Sequence, residues 1–211
     1  MDFLELLKQR YATKHYEKNV EIDDKTLDKI LECASLTPSA LNIQPWMFLC
    51  FKGEAKNKIA DGIESFNRDR FNECSCAIVI AAKTFVDDKS VMDICQQEKV
   101  DGRYENDDVL KARYEHMLHG VDGHNKIGDV KVWNEKQCYI ALATIIYAAK
   151  AYGLDSTPLE GVNQNKLDEL LDLKKENLHA QTVVLLGKAS KEDSNALSVR
   201  PKSRLHLVRK Y

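Results

Sequence analysis

The stretch Cys76-Ala-Ile-Val-Ile-Ala-Ala-Lys-Thr84 is apolar from its first residue to Ala82. A strand with one wet face alternates apolar and polar side chains, whereas a strand apolar at every position is covered on both faces. The stretch therefore predicts a central strand, and the rest of the chain must supply two covering layers. Residues 134–152 read as the most apolar helix, hydrophobic nearly all round, which belongs in the core or at a subunit contact. Gly153 can end that helix with a left-handed cap. Thr182–Leu186 and Trp46–Phe51 read as two further buried strands.

Three helices precede or surround these strands. Phe3, Leu6 and Leu7 share a face of a short helix over 2–10. Asp23 or Asp24 can cap a second helix whose stripe is Leu27, Ile30, Leu31 and Ala34, and Pro38 keeps Thr37 out of it. Ile59, Ile63 and Phe66 mark a third, weakened by Gly62 and closed by Arg70. Residues 86–132 are polar and helix-leaning, with turn signals at Asp101-Gly102 and Gly120–Gly123, and read as a peripheral helical excursion. From Arg200 to Tyr211 there are five Lys or Arg and no acid, yet Leu205, Leu207 and Val208 are interleaved with them. That pattern suits a segment docking on a surface, either its own core or a partner subunit.

The 211 residues predict one domain over 1–211. A formal charge of −2 leaves no global basic field for nucleic acid. The two longest apolar runs, Cys76–Ala82 and Cys138–Ala149, fall short of the about 20 residues a membrane span needs. The chain opens Met-Asp-Phe-Leu-Glu, without a basic flank and apolar stretch, and its six cysteines are most simply free thiols, so the natural reading is cytoplasmic. Cys74 and Cys76 are the one tight pair, without the further ligands of a zinc site. Cys33, Cys50, Cys95 and Cys138 read as small core residues. No nucleophile elbow, zinc-protease helix, phosphate loop or dinucleotide fingerprint occurs.

Three features could carry chemistry. Arg10, Lys14, Arg70, Lys202 and Arg204 are either solvated charges or a set converging on a phosphate and an electron-rich ring. The loop Thr37-Pro-Ser-Ala-Leu-Asn-Ile-Gln-Pro-Trp46 offers Ser39, Asn42 and Gln44 between two prolines, either as a structural loop or as a polar cradle for a planar heterocycle. In Ser156-Thr-Pro-Leu-Glu-Gly161, Gly161 permits close backbone approach to a ligand and Pro158 stiffens the segment.

Together these pieces resemble the nitroreductase family of flavoproteins, in its oxygen-insensitive NAD(P)H nitroreductase and dihydropteridine reductase branch. The resemblance is carried by Arg10-Tyr-Ala-Thr-Lys14, Pro38–Trp46, Phe66-Asn67 with Arg70, Ala82-Lys-Thr84, Lys136–Leu142, Gly153–Gly161, and Asn195-Ala-Leu197 followed by Pro201-Lys-Ser-Arg-Leu205. It implies an α+β fold, a central mainly antiparallel sheet flanked by helices, in an intertwined homodimer. Residues from about 190 to 211 would be an arm wrapping the partner, and 134–152 the dimer core. It also implies FMN as cofactor and NAD(P)H as electron donor. Arg10, Lys202, Arg204 and the backbone of Tyr11 and Ala12 would hold the FMN phosphate. Lys14 and Arg70 would face the N1–C2 edge of the ring, and Asn67 its pyrimidine. Pro38, Ser39, Ala40 and Asn42 of the partner subunit would join them. Pro158, Leu159, Glu160 and Gly161 would cover one face, with a backbone N–H near N5, and His119 would sit near the acceptor. The sequence departs from the family where Ala12 replaces a frequent small hydroxyl and Arg70 a usual lysine.

The activity implied is ping-pong hydride transfer through flavin N5 to small planar electron-poor acceptors: nitroaromatics, quinones, pteridines or free flavin. A non-catalytic flavin carrier or sensor on the same fold is the alternative. A nucleic-acid-binding tail is a third reading, weakened by the apolar interleaving and the overall acidity.

Overall fold

The computed structural model describes residues 2–200 and 205–210. Four strands make one sheet: β1 (Trp46–Lys52), β2 (Cys76–Lys83), β3 (Asp155–Leu159) and β4 (Leu178–Gly187). Their spatial order is β1-β2-β4-β3, and every neighbouring pair is antiparallel. β2 is buried from Cys76 to Ala82. Its pleat sends Cys76, Ile78, Ile80 and Ala82 into one layer, with Leu27, Ile30 and Ala34 of α2 (Asp24–Ser35) and Ile145 and Ala149 of α6 (Val130–Ala151). Ala77, Val79 and Ala81 enter the opposite layer, closed by Ile59, Ile63, Phe71 and Leu167. Two covered faces account for the missing alternation, and the chain is α+β as expected.

The helix ends obey their local chemistry. Asp23 accepts the Thr26 N–H at 2.9 Å to cap α2. Gly153, at φ 76°, follows α6 in the left-handed region. Residues 88–127 hold α4 (Asp88–Val100) and α5 (Asp107–Ile127), capped by Asp87 and Asn106. They enclose a third apolar cluster of Val91, Cys95, Leu110, Met117 and Val121, into which Ile43 reaches from the 37–46 loop. α1 (Phe3–Gln9) buries Leu6 alone, although Phe3 meets Tyr147 of α6 edge-on at 5.5 Å. Two short helices, α7 (Gln164–Leu170) and α8 (Ser194–Leu197), flank β4 in sequence.

Four expectations need correction. β1 is a sheet edge, so it is half-buried, with Phe51 its single buried position and Met47 exposed. The expected third helix is a 3-10 stretch over Gly53–Gly62, a break at Ile63, and then α3 (Arg68–Glu73). Gly62 causes the break: a Cβ there would lie 2.5 Å from Leu167 Cδ2, so α7 presses on the one position without a side chain, while Ile63 turns extended and Phe66 is exposed. Ser156–Leu159 belongs to β3, where Pro158 is tolerated on the outer strand of the sheet. Cys33 and Cys50 are half-buried rather than core residues.

All six cysteines are free thiols. Burial pushes the Cys74 thiol up to about 11 and the Cys138 thiol up to about 12, so both stay protonated and unreactive at neutral pH. Among the described residues, no helix is long and apolar enough to cross a membrane, and no cluster of three or more His, Cys, Asp or Glu could hold a metal ion.

Candidate functional site

The outer edge of β3 is covered by the segment that links α1 to α2. Ala12 bridges Ser156 in parallel, the Thr13 N–H donates to Ser156 O at 3.3 Å, and Thr157 Oγ1 donates to Thr13 O at 2.6 Å. Tyr16 is buried below, its hydroxyl 2.8 Å from Thr157 Oγ1, and burial raises its pKa. This pairing protects a strand edge and fixes the backbone from Tyr11 to Lys14. Beyond the other end of β3, Asn67 Nδ2 donates to Gly161 O at 2.9 Å and the Glu64 N–H to the same carbonyl at 3.2 Å. A Cβ on Gly161 would lie 2.5 Å from both Asn67 Nδ2 and Phe66 Cζ, so the close approach this glycine permits is used by the chain itself. The Tyr139 hydroxyl of α6 donates to Glu160 Oε1 at 2.9 Å; its partial desolvation and that carboxylate push it up to about 12.

Three cations lie on the flanking segments: Arg10 ends α1, Lys14 follows the Thr13–Ser156 pairing, and Arg70 is in α3, whose N-cap is Asn67. Arg10, Lys14 and Arg70 are each half-buried. Among the described residues, none of the three has a hydrogen-bond or ion-pair partner for its side chain, although eleven Lys or Arg pairs with carboxylates occur elsewhere. Half-buried cations left without counter-charge fit an anionic ligand. Lys202 and Arg204 lie outside the described residues.

The Pro38–Gln44 loop is held in another place. The Ala40 N–H donates to Gln137 Oε1 of α6 at 2.9 Å, Asn42 Nδ2 to Glu98 Oε1 of α4 at 2.7 Å, and Arg113 of α5 to Leu41 O at 2.8 Å. Within one chain, no hydrogen bond among the described residues joins it to the segments around Lys14, Asn67 or Gly161. His119 is exposed on α5, next to Gly120, against which Leu41 packs.

A sequence model of the nitroreductase family matches residues 7–90 and 128–188. The oxygen-insensitive NAD(P)H nitroreductases of Enterobacter cloacae and Salmonella typhimurium are each 32% identical over 98% of this chain and 97% of their own length. The chain belongs to the nitroreductase family. Among solved structures, a protein of Exiguobacterium sibiricum in complex with FMN superposes with a TM-score of 0.83 at 22% identity, covering 100% of this chain and 97% of that one. The family match leaves out 91–127, which is most of α4 and α5, and everything after 188.

In this nitroreductase, one residue beside the site, Asp193, escapes sequence reading. Asp193 is fully buried and accepts four backbone N–H groups: Lys14 and His15 on Oδ2, His15 at 2.6 Å, and Asn195 and Ala196 on Oδ1, each at 2.8 Å. Burial works against its charge, but those donors outweigh it and hold the carboxyl below the usual range. Asn195 adds a bond from Nδ2 to Ala12 O at 2.7 Å. The start of the C-terminal arm is thus tied to the Tyr11–His15 segment. Arg200 then lays its guanidinium over the Tyr11 ring at 3.9 Å. Asp193 carries a visible signal as the N-cap of α8, but its partners are about 180 residues away in sequence, at 178 and 179 positions.

Proposed function

We propose that this nitroreductase is an FMN-dependent NAD(P)H oxidoreductase, cytoplasmic and homodimeric, built as one domain over 1–211 with a C-terminal arm on the partner. The observation that carries the reading is the set of half-buried cations without a side-chain partner among the described residues, Arg10, Lys14 and Arg70, on the segments that flank β3 and the Asn67–Gly161 contact. From Ser156 to Gly161 the chain spans at most about 18 Å, enough to separate a phosphate at one end from a ring at the other.

Bound FMN supplies a ring that accepts hydride at N5 from NAD(P)H and passes it to an acceptor. The protein's residues bind and bias that ring. Arg10, the Tyr11–Ala12 backbone, Lys202 and Arg204 hold the phosphate. Lys14 and Arg70 stand at the N1–C2 edge, where fixed positive charge favours the reduced, anionic ring. Asn67 orients the pyrimidine and also secures Gly161, so one side chain couples the ring's position to the backbone that covers it. Pro38, Ser39, Ala40 and Asn42 of the partner subunit complete the pocket. Exposed Leu197, Val199, Leu205, Leu207 and Val208 suit an arm that buries itself on a second copy. The acceptors proposed are nitroaromatics, quinones, pteridines or free flavin, flat and electron-poor molecules that can stack where nicotinamide left, with His119 near them.

The test is the visible spectrum of the purified protein, after FMN addition and then after NADH or NADPH under argon. A yellow protein that bleaches, and recovers its colour with a nitroaromatic or quinone, is expected. A yellow protein that neither reductant bleaches supports a carrier or sensor, and a protein that saturating FMN leaves colourless overturns the proposal.

A further inference from the structure

The loop half of the site carries an unusual backbone. Leu41 (φ 54°), Asn42 (φ 58°) and Gln44 (φ 43°) all lie in the left-handed region, three positions of four and none of them glycine. Each such residue costs of order 1 kcal/mol, and persists where its surroundings over-determine it. The surroundings here are specific. Glu98 is 3% exposed, on a helix otherwise rich in surface charge. Its Oε1 accepts Asn42 Nδ2 at 2.7 Å and faces Arg103 Nη1 at 3.0 Å. Its Oε2 accepts the Tyr104 hydroxyl and lies 3.8 Å from Arg113 Nε. Arg113 in turn donates from Nη2 to Leu41 O at 2.8 Å. One buried carboxylate and one guanidinium therefore grip the side chain of Asn42 and the carbonyl before it. The Leu41 side chain is held from the third direction: a Cβ on Gly120 would lie 2.4 Å from Leu41 Cδ1, so α5 keeps a gap where Leu41 enters. Gly120 stands in the interior of α5, where glycine costs helix stability. Ser39 Oγ closes the loop by accepting the Gln44 N–H at 3.0 Å.

A buried charge and a helix-weakening glycine both lower stability unless something else is gained, and what they hold is a turn already strained. We infer that Glu98 and Arg113 are positioning residues for the flavin, fixing Asn42 and its left-handed backbone at the angle from which each subunit's loop meets the ring bound by the other. The inference rests on the FMN reading above. It makes α4 and α5, most of which lies outside the family match, the support of a loop inside that match.

The experiment compares wild type, Glu98→Gln and Arg113→Gln. The FMN dissociation constant is read by titration, and flavin circular dichroism, midpoint potential, and kcat and KM for a quinone are measured at saturating FMN. Loss of a hydrogen bond to a charged group corresponds to a change of about tenfold or more. The expected result is FMN binding weakened about tenfold in Glu98→Gln and about fivefold in Arg113→Gln. Both variants should also show an altered flavin circular dichroism band and a raised KM. If both variants lose thermal stability alone, with dissociation constant, dichroism, potential and KM unchanged, Glu98 is a structural bridge and the inference is wrong. Should Glu98→Gln fail to fold, Arg113→Gln decides by the same measurements. A wild-type protein that does not take FMN removes the functional reading itself, whereas one that does, beside unaltered variants, removes only this inference.

Discussion

The sheet-edge half and the loop half of the candidate site are anchored by different chemistry. Tyr11–Lys14 and Gly161 are held at their backbone, by a bridge to β3, the Glu64 N–H, and the side chains of Thr157, Asn67, Asp193 and Asn195. Pro38–Gln44 is held by side chains from helices, Gln137, Glu98 and Arg113, around a strained backbone. These bonds fall on the backbone of the first half, so side chains at 10–14 can change without loosening it as long as Asp193, Asn195, Asn67 and Thr157 stay. The second half depends on particular side chains in α4 and α5 and changes with them.

The largest effect expected from breaking this contrast is at Asp193. Asp193→Ala leaves four backbone donors without their acceptor and uncaps α8, which should cost about 3 kcal/mol in denaturant unfolding and release the arm's start from the Lys14 segment. The same group sets an acid limit. Its carboxyl is held below the usual range, so its contribution is complete above about pH 3.9, the unfolded value, and is lost as pH falls through the lower folded value. An acid titration of wild type against Asp193→Asn should therefore diverge at neutral pH and converge at the acid end. Gly161→Ala comes next. Its Cβ collides with Asn67 and Phe66, and about 1–3 kcal/mol of overpacking should appear as weakened FMN binding measured by fluorescence quenching. Arg70→Ala should lower the flavin midpoint potential and weaken FMN about tenfold, whereas Arg70→Lys, which keeps the charge, should stay within a few-fold.

The smallest effect sharpens the comparison on the loop side. Gly120→Ala gains about 1 kcal/mol of helix propensity but pushes Leu41 out of its gap, so stability by thermal melting should change little while the KM for a quinone rises. A stability gain with unaltered KM would show that Leu41 does not need its slot. That outcome would make the loop half as tolerant as the sheet edge.

What the sequence discloses follows from how local each signal is. β2 is readable because covering both faces leaves an unbroken apolar run, and α2 because its cap and stripe lie within twelve residues. β3 is hard to see: Asp155-Ser-Thr-Pro lacks the apolar pattern of a strand, yet its backbone pairs with β4 and the buried Thr157 hydroxyl is satisfied on Thr13. Gly62 marks a break rather than a weak helix because Leu167, a hundred residues on, presses there. The cations Arg10, Lys14 and Arg70 could be singled out by type, and family resemblance supplied their grouping. Glu98 and Arg113 could not, since a charged side chain in a polar stretch looks solvated until the elements around it are assembled, and for Asp193 the cap pattern marks a helix start but not its bonds to Lys14 and His15.

The start of β4 shows one more consequence. Ile80 pairs with Thr182 but Ala81 with Ala180, so Gln181 is an unpaired extra residue in the ladder. Leu178 and Ala180 enter the same core layer as Val183 and Leu185, even positions before the bulge and odd ones after it. Gln181 thus works as a parity correction, and a reader counting by twos loses the strand at Thr182. Pairing Gln181 regularly in the ladder, without altering any apolar side chain, would turn the first part of β4 over, carrying His179 into the Val183–Leu185 layer and Leu178 and Ala180 to the other side of the sheet, whereas deleting it would leave a plain ladder with both in their present layer. The identity of the residue matters less there than its standing outside the ladder.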